Sequence, residues 1–359
     1  MTTDSTYHPQ QLHTYVTEVC GALGSEPEEA GLVADQLIGA NLAGHDSHGV
    51  GMMPAYVASV AGGRLFVNRH ISVASDSGSV LVIDGNRAFG QVAGYEATNL
   101  AIERAREAGV ALAGLRNSFH IGRIGHWGEQ CARAGMVSIH FVNVAGNDPI
   151  VAPYGGADAR FATNPICVAV PSMGDEPAAL LDMATSLIAL GKARVAHNSG
   201  LELPSDTALD GSGNVTRDPA GLMAVPRDGA IIAFGNHKGS GLAIMCELLG
   251  AALTGGMTIS PRHERDDSAI NSMLSIVIDP GALTSRSSLV AEANEFLDYV
   301  RSSSVRAGFE EVLIPGEPEL RARQARAAAI AVDDGSVSQL RWAAGKAGLP
   351  ETRIEELLG

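Results

Sequence analysis

Six short segments of the chain concentrate side chains that could move a proton or bind an anion. The densest is the GHDSHG stretch at residues 44–49, where two histidines, a carboxylate and a hydroxyl fall within six positions. A histidine titrates near neutral pH and can exchange a proton with a carbonyl or hydroxyl oxygen when a partner fixes its tautomer. A polar helix end, where histidines face the negative end of the helix dipole, explains the same residues equally well.

Two further segments place polar side chains in turns beside predicted strands. Residues 117–126 set His120 and Arg123 among glycines between a strand end and a helix start, where backbone amides can approach an anion. Residues 161–165 set Thr163 and Asn164 just before a proline, which holds the preceding residue in extended geometry. Ordinary strand connections use the same residue types, so neither segment is decisive alone.

The last three segments add a carboxylate, a cation and a turn. Asp182 follows an apolar run, and since a carboxylate is costly to bury unpaired, we expect it to face a hydrogen-bond donor or a cation. Thr185 or Ser186 beside it could equally cap the next helix. Lys238 lies among small residues where a long helix begins, an arrangement that suits a phosphate. The IPGEPE stretch at 314–319 predicts only a turn before a helix.

Several common catalytic and nucleotide-binding motifs are missing from the sequence. It has no GxGxxG after a predicted strand, no GxxxxGK[ST], no HExxH and no GxSxG. These absences argue against a standard Rossmann dinucleotide site, a Walker NTPase, a zinc-protease helix and a nucleophile elbow. The four scattered cysteines form no CxxC pair, and His45 and His48 lack a third ligand at an obvious spacing. We therefore expect free thiols and no metal site.

The elements that must position these segments alternate between strands and helices. Helical periodicity covers residues 12–23, 25–42 and 53–60, with Ser25 as the expected cap of the second helix. Predicted strands begin near residues 79, 110, 136, 166, 178, 230 and 274, and further predicted helices cover 91–107, 126–134, 186–197, 241–253, 288–302, 318–329, 336–347 and 351–358. This order predicts an α/β or mixed α+β fold, with residues 202–227 as a long surface excursion.

Length and charge limit the class of protein. With 359 residues, 45% of them apolar, the chain is long enough for a substantial core and about two domains. The net charge of −15 and the lack of a basic stripe argue against a nucleic-acid partner. The polar N-terminus has no signal-peptide core, and the most apolar stretch, residues 241–256, is too short to span a membrane. We therefore expect a soluble cytoplasmic protein.

Taken together, the six segments resemble the type-2 malate/L-lactate dehydrogenase family in their order and approximate spacing. GHDSHG, NSxHxG, TNP, LDMATS, HKGxGL and PGEPE all occur, and the resemblance runs from Leu12 to Ile330. The stretches ANLAGHDSHGVGM and SFHIGRIGHWGEQCA are similar to the bacterial hydroxycarboxylate dehydrogenase B branch. That family is NAD(P)-dependent and unrelated to Rossmann lactate dehydrogenases.

The resemblance implies a homodimer whose subunit has a non-Rossmann fold. A central α/β domain at residues 76–280 is expected to bind the nicotinamide nucleotide, NAD or NADP, and the substrate. A helical domain built from both chain ends, residues 1–75 and 281–359, is expected to close on it. Neither the resemblance nor the residues choose between the two nucleotides.

Carried over position by position, the resemblance also implies the site residues. His48, Ser47 and Asp182 match the family's catalytic residues, with His48 expected to protonate the developing alkoxide while Ser47 and Asp182 orient or polarise it. The expected substrate contacts are Arg123, His120 and Thr163. The expected cofactor contacts are His48, His120, Gly122, Arg123, Ile124, Leu180, Leu181, Asp182, Met183, Ala184, His237, Lys238, Ile314, Pro315, Gly316 and Glu317.

The sequence departs from the family pattern at three positions. Many relatives carry an arginine that can grip the substrate carboxylate where this chain has Met52, and a small residue where it has Arg123. We therefore hypothesise that Arg123 has taken over as the carboxylate clamp. Thr207 replaces a frequent tryptophan and Ser240 an aromatic residue, so pocket volume or cofactor packing is expected to differ.

The function implied is hydride transfer between nicotinamide and C2 of a 2-oxo or 2-hydroxy carboxylic acid, such as malate, lactate or hydroxyphenylpyruvate. Reduction of a cyclic imino acid (a ketimine) is the alternative within the same class, because it needs the same cofactor and clamp but meets a C=N bond. Two alternatives of other classes are a metal-assisted hydrolase or lyase that uses the histidine pair, and a nucleotide-binding protein without turnover.

Overall fold

The computed structural model describes residues 4–198 and 200–359, so the first three residues of the polar N-terminus lie outside it. The strands are β1 (Asp4–Tyr7), β2 (Ser72–Ser77), β3 (Val80–Asp84), β4 (Val110–Ser118), β5 (Val137–Ala145), β6 (Ile166–Val170), β7 (Ala179–Met183), β8 (Ala208–Asp210), β9 (Val215–Thr216), β10 (Gly229–Ile231), β11 (Ile270–Ile278) and β12 (Ile330–Asp333). The α-helices are α1 (Pro9–Ala22), α2 (Pro27–Leu42), α3 (Met53–Ala61), α4 (Gly90–Ala108), α5 (Gly125–Arg133), α6 (Leu190–Asn198), α7 (Ala220–Met223), α8 (His237–Met245), α9 (Arg286–Arg301), α10 (Glu317–Arg326), α11 (Asp334–Ala347) and α12 (Glu351–Leu358).

A mixed sheet forms the centre of the fold and confirms the predicted α/β class. In the described part of the chain it has seven strands in the order β2-β3-β4-β11-β5-β6-β7. Only the β3–β4 pair among them is parallel, and β11 lies antiparallel to β4 on one side and to β5 on the other. Helices α4 and α5 bury the alanine-rich and aromatic side chains of one core, including Trp127. The strand order differs from a doubly wound parallel sheet, which agrees with the missing GxGxxG turn.

The two ends of the chain pack together into a second, helical core. Strand β1 pairs antiparallel with β12, and the Tyr7 hydroxyl donates a hydrogen bond of 3.0 Å to the carbonyl of Leu358. Side chains of α1, α2 and α3 share this core with those of α11 and α12. The prediction of a helical unit built from both chain ends is therefore confirmed. The exact division at residues 75 and 280 stays a prediction.

The predicted surface excursion at residues 202–227 is wrong. This segment forms β8, β9 and α7, with β8 and β9 joined by the following β10 in a small sheet of order β10-β8-β9, and its Leu203, Ala208 and Leu222 side chains are buried. They pack with Val151 and Ile188 from outside the segment. Because its few apolar residues are dispersed among Asp, Gly and Pro, the segment has no periodicity that would reveal a core.

Three helix starts also differ from the prediction. Helix α2 begins at Pro27 with Glu26 as its N-cap residue, so Ser25 does not cap it. Proline at the first helical position has its φ already set and needs no N–H partner there. Helix α6 begins at Leu190 rather than 186, because the residues before it pair with the segment after β10: Ser186 bridges Ala233, and Leu187 N donates to Ile232 O. Helix α8 starts earlier than predicted and continues as a π-helix over Cys246–Ala252.

Candidate active site

Strand β7 and the residues after it link four of the six segments through backbone hydrogen bonds. Leu180 N donates to Pro315 O at 2.9 Å, and Thr185 N donates to Thr163 O at the same distance. Phe234 N, just before the helix that carries Lys238, donates to Thr185 O at 3.0 Å. Segments separated by up to 150 positions in the sequence thus lie side by side along one strand.

The Asp182 carboxylate is held by two donors on a single oxygen. Arg123 Nη1 lies 3.2 Å from Oδ2, and the backbone N–H of Gly125, the first residue of α5, donates to Oδ2 at 3.0 Å. Burial raises the pKa of Asp182, whereas the charge of Arg123 and the Gly125 N–H oppose that rise. The expectation that Asp182 faces a cation and a donor is confirmed.

Arg123 is a buried cation with two acidic partners. Its side chain is 3% exposed, and Nη2 lies 2.5 Å from Glu129 Oε1 while Nη1 contacts Asp182. The same Glu129 oxygen accepts from Arg323 of α10 at 2.5 Å. Since both neighbours already neutralise the guanidinium, gripping a substrate carboxylate would require Arg123 to exchange one of them. Its predicted role as the clamp stays a prediction under that condition.

The Ser47–His48 pair lies in a short 3₁₀ turn at the end of α2. Ser47 Oγ is 2.9 Å from His48 Nδ1. The buried Asn41 side chain holds the turn, since its Oδ1 accepts from Val50 N at 2.8 Å and its Nδ2 donates to Asp46 at 2.7 Å. A Cβ at Gly49 would overlap the Asn41 amide, so the turn needs glycine there.

His48 and His120 form a stacked pair although 72 positions separate them. Their ring centroids are 5.5 Å apart and the ring planes are inclined by 27°. Burial lowers the pKa of His48 to about 3, helped by the neighbouring positive charges of His120, His45 and Arg123. Burial lowers the pKa of His120 to about 4. Both rings are therefore neutral at neutral pH, and each has one hydrogen-bond donor nitrogen and one acceptor nitrogen, which can take up a proton.

The predicted catalytic group is not a connected triad. Among residues 4–198 and 200–359, no hydrogen bond joins Asp182 to Ser47 or His48, since its partners are Arg123 and Gly125. Helix α10 connects the two parts of the site instead. Glu319 lies 3.1 Å from His45 Nε2, and Arg323 of the same helix pairs with Glu129.

The predicted cofactor contacts lie on both sides of β7. A cavity of about 140 Å³ opens where the 314–317 turn meets β7, and Leu180, Pro315, Gly316 and Glu317 all line it. Gly316 has a φ of 100° and packs against Leu180, so a side chain there would be strained. Beyond the other end of β7, His237 and Lys238 are exposed in the first turn of α8.

The other singled-out residues have mostly structural environments. Asn164 is buried and donates to Ala243 O and to Glu247, while Thr163 is half-buried beside it. Met52 packs against the helical core. Thr207 and Ser240 are buried, and Ser240 Oγ accepts a hydrogen bond from Tyr154 N at 3.0 Å.

Several residues around the site were missed by the sequence reasoning. They are Tyr56, Gln91, Glu129, Glu319 and Arg323. Glu129 had a signal, because a buried arginine needs an acid and Glu129 follows Arg123 on the adjoining helix. The others meet the site only through tertiary packing.

The described residues contain neither a metal-ligand cluster nor a membrane-spanning helix. No group of three or more His, Cys, Asp or Glu side chains within 4–198 and 200–359 is arranged to hold a metal ion. Across the same residues, no helix is long and apolar enough to cross a membrane. The four cysteines are free and buried.

Comparison with known proteins gives matches along almost the whole chain. The family model described as malate/L-lactate dehydrogenase matches residues 7–341. Hydroxycarboxylate dehydrogenase B of Escherichia coli K12 is 45% identical over 352 residues, which cover 97% of this chain and 96% of the relative.

Solved structures give the same result. A malate/lactate dehydrogenase structure from Escherichia coli superposes with a TM-score of 0.93 at 44% identity, covering 98% of each chain. A delta1-piperideine-2-carboxylate reductase from Pseudomonas syringae pv. tomato superposes with a TM-score of 0.80 at 30% identity, covering 94% of this chain and 99% of the other.

Proposed function

Because the chain belongs to the malate/L-lactate dehydrogenase family of oxidoreductases, we propose that it interconverts a 2-oxo and a 2-hydroxy carboxylic acid. The observation that carries this proposal is the stacked pair of neutral histidines, His48 and His120. A neutral imidazole can accept the proton of a substrate hydroxyl, and the imidazolium that forms can return it in the reverse direction.

The residues present fit a nicotinamide nucleotide, NAD or NADP. When bound, it would supply or remove the hydride at the substrate C2 carbon. The exposed Lys238 at the start of α8 suits its phosphates, because helix N–H groups and a cation there attract negative charge. The cavity beside Leu180 and Gly316 offers backbone and carboxylate acceptors for hydroxyl groups.

His48 is proposed as the proton-transferring residue. In the oxidation direction its neutral ring is available as a base at neutral pH, since its pKa is about 3. In the reduction direction an anionic substrate beside the ring would raise that pKa and favour proton donation. Ser47 holds Nδ1, which leaves Nε2 for the substrate oxygen. Asp182 acts on this group indirectly, by holding Arg123, whose charge lowers the pKa of His48.

The first experiment is to follow NADH and NADPH absorbance separately with purified protein and a panel of 2-oxo acids and cyclic imino acids. Turnover of an oxo acid with at least one nucleotide is the expected result. His48→Gln should then lose at least 100-fold in kcat, as expected for removal of a general acid–base group. Binding of both nucleotides without turnover of any compound would contradict the proposal.

A cyclic imino acid reductase is the second candidate, favoured by the similarity to the piperideine-carboxylate reductase. Both substrates carry a carboxylate next to the reacting carbon, so the same panel separates them. A kcat/KM higher for the imino acid than for every oxo acid would favour this second function.

Substrate grip by Arg123 is a separate proposal. Arg123→Lys keeps the charge but loses the planar fork, so we expect KM for the oxo acid to rise about tenfold or more. An unchanged KM would exclude the clamp role while leaving the reaction class intact.

A homodimer is proposed from the family resemblance. The exposed apolar residues Ile244, Met245 and Leu248 on the α8 helix and its π-helical continuation support it, since such a stripe is typical of an interface. Light scattering should give twice the chain mass of 37.1 kDa. The cytoplasmic location stays a prediction.

A further inference from the structure

A buried chain of three polar side chains ends on one of the two site histidines. Gln91 Nε2 donates to Tyr56 Oη at 2.7 Å, and Tyr56 Oη lies 2.8 Å from His120 Nδ1. Tyr56 is fully buried and Gln91 is 1% exposed. The residues come from α3, α4 and the turn after β4, so the chain exists only in the folded protein.

The donor in each hydrogen bond follows from which group has a hydrogen available. The Gln91 amide donates to the phenol oxygen, so the Tyr56 hydrogen is left for its other neighbour, His120 Nδ1. Burial raises the pKa of Tyr56, which keeps its hydroxyl protonated and able to donate. A nitrogen that accepts a hydrogen bond carries no proton, so neutral His120 must carry its proton on Nε2.

We propose that Tyr56 is a positioning residue that fixes His120 as the Nε2–H tautomer. The ring is then a hydrogen-bond donor on the edge away from Tyr56, and a substrate carbonyl or hydroxyl oxygen is the acceptor that matches it. Tyr56 itself touches no reacting atom, and its effect passes entirely through His120. The use of this donor in turnover rests on the proposed function, whereas the tautomer itself does not.

The ring contacts around His120 support a fixed orientation. The His120 ring stacks on His48 at 5.5 Å and also contacts the Tyr56 ring at 6.0 Å between centroids. Phe89 and Phe119 pack edge-on against Tyr56 at 5.8 and 5.9 Å, which confines the phenol. The phenol oxygen therefore cannot move away from His120 without repacking this core.

The tautomer is measured directly on the wild-type protein, without any substrate. Protein labelled with ¹⁵N-histidine gives two-bond and three-bond ¹H–¹⁵N correlations for each ring, and the spectrum of His120→Gln identifies the His120 signals among the 11 histidines. At pH 7.5 we expect a protonated Nε2 and an unprotonated Nδ1. A protonated Nδ1, or a doubly protonated ring, would overturn the proposal whatever the enzyme's activity.

The matched pair of variants is Tyr56→Phe and Tyr15→Phe. Tyr15 is also fully buried in the helical core, but its hydroxyl donates to the backbone carbonyl of Leu340 at 2.8 Å instead of to a site residue. Tyr15→Phe loses one buried hydrogen bond and Tyr56→Phe loses two, so both variants should lose stability and Tyr56→Phe the more. Only Tyr56→Phe should shift the His120 signals toward a mixture of tautomers and lower kcat/KM, by about tenfold for one lost hydrogen bond.

Two results with the variants would contradict the proposal. One is a His120 spectrum in Tyr56→Phe that still has the pure wild-type Nε2–H pattern. The other is an equal loss of kcat/KM in Tyr15→Phe and Tyr56→Phe, which would indicate a purely structural effect. If Tyr56→Phe does not fold, the wild-type spectrum alone decides which tautomer His120 adopts and so whether the proposal holds. If the protein has no dehydrogenase activity at all, the proposed function fails while the tautomer result stands.

Discussion

Gly125 lies at the point where Arg123, Asp182 and the start of α5 meet. A Cβ built there would overlap both Arg123 Nη1 and Asp182 Oδ2, while the Gly125 N–H is one of the two donors to Asp182. Glycine is required here by the close approach of two charged groups rather than by its backbone angles. A side chain at this position must push apart an ion pair that is buried on all sides.

Gly125→Ala should therefore reduce both the catalytic efficiency and the free energy of unfolding. We expect kcat/KM to fall at least tenfold, because a shift of about 1 Å at a reacting group can cost up to 100-fold. Overpacking should cost about 1–3 kcal/mol in the free energy of unfolding. Steady-state kinetics and urea unfolding measure both effects.

Gly31→Ala on α2 is the control for this prediction. A Cβ there meets nothing within 4 Å, so the variant should gain about 0.5–1 kcal/mol from helix propensity. It should keep full activity. Wild-type kinetics in Gly125→Ala would contradict the inference that this glycine sets the Asp182 geometry.

At the scale of elements, Glu129 joins α5 to α10. Its carboxylate accepts from Arg123 on the site side and from Arg323 on the α10 side, both at 2.5 Å, and it is 3% exposed. The neighbouring cations hold the pKa of Glu129 below its usual range although burial opposes this. Helix α10 also begins at the end of the 314–317 turn, which is expected to contact the cofactor. Glu129 thus ties that turn to the Asp182 site.

Glu129→Gln should leave the buried Arg123 and the half-buried Arg323 each with one acidic partner fewer. We expect a loss of stability on the order of 3–5 kcal/mol, the usual cost of removing one member of a buried ion pair. The KM for the nucleotide should rise as α10 loosens. Chemical unfolding and nucleotide titration test the two effects.

Glu176→Gln is the matched control because Glu176 is the exposed partner of the same Arg323, at 3.2 Å. A pair at the surface contributes little, so stability should change by less than about 0.5 kcal/mol. Similar losses in the two variants would mean that burial of Glu129 is not what gives it its importance.

The β5–β11 pair carries a second buried histidine group that the active site does not use. His140 on β5 is fully buried between Ser275 of β11 and Ser138, at 2.8 and 3.0 Å. Burial lowers its pKa to about 4, below the value near 6.5 expected in the unfolded chain. Between these two values the unfolded chain binds more protons than the folded protein.

Stability should therefore fall as the pH drops from about 6.5 to about 4. The contribution of His140 is fully present above pH 6.5, and the loss is on the order of 3 kcal/mol at the lower end. In His140→Gln, urea unfolding at pH 7 and pH 5 should show a smaller difference than in the wild type. An equal pH difference in the two proteins would mean that His140 is protonated without cost.

At the scale of the whole molecule, the net charge of −15 acts against the anionic substrate. The site compensates only in part, since its described cation Arg123 already faces two carboxylates. Long-range repulsion between protein and substrate should therefore slow their encounter at low salt. Raising the ionic strength screens that repulsion.

We expect kcat/KM for a 2-oxo acid to rise several-fold between about 0.01 and 0.15 M salt, as the Debye length shrinks from about 30 to about 8 Å. A dicarboxylic oxo acid should respond more strongly than a monocarboxylic one. The comparison of the two substrates is the internal control. A fall in kcat/KM with salt for both would show that local cations, not the global charge, dominate the encounter.

The sequence by itself determined the class of the fold and most of its elements. The hydrophobic periods of strands and helices are local properties, so β3–β7, α4, α5 and the C-terminal helices were predicted close to their observed bounds. The order of the six polar segments indicated the family. The cost of burying a carboxylate was enough to predict that Asp182 has a partner.

Tertiary structure alone decided which polar groups meet. Arg123 was expected to be available for a substrate, but packing of α5 and α10 places Glu129 against it. Tyr56 reaches His120 across 64 positions. The dispersed apolar residues of 202–227 found a core with Val151 and Ile188. The physical reason is the same in each case: periodicity encodes which face of an element is buried, while polar partnerships depend on the register and packing of elements that are far apart in the chain.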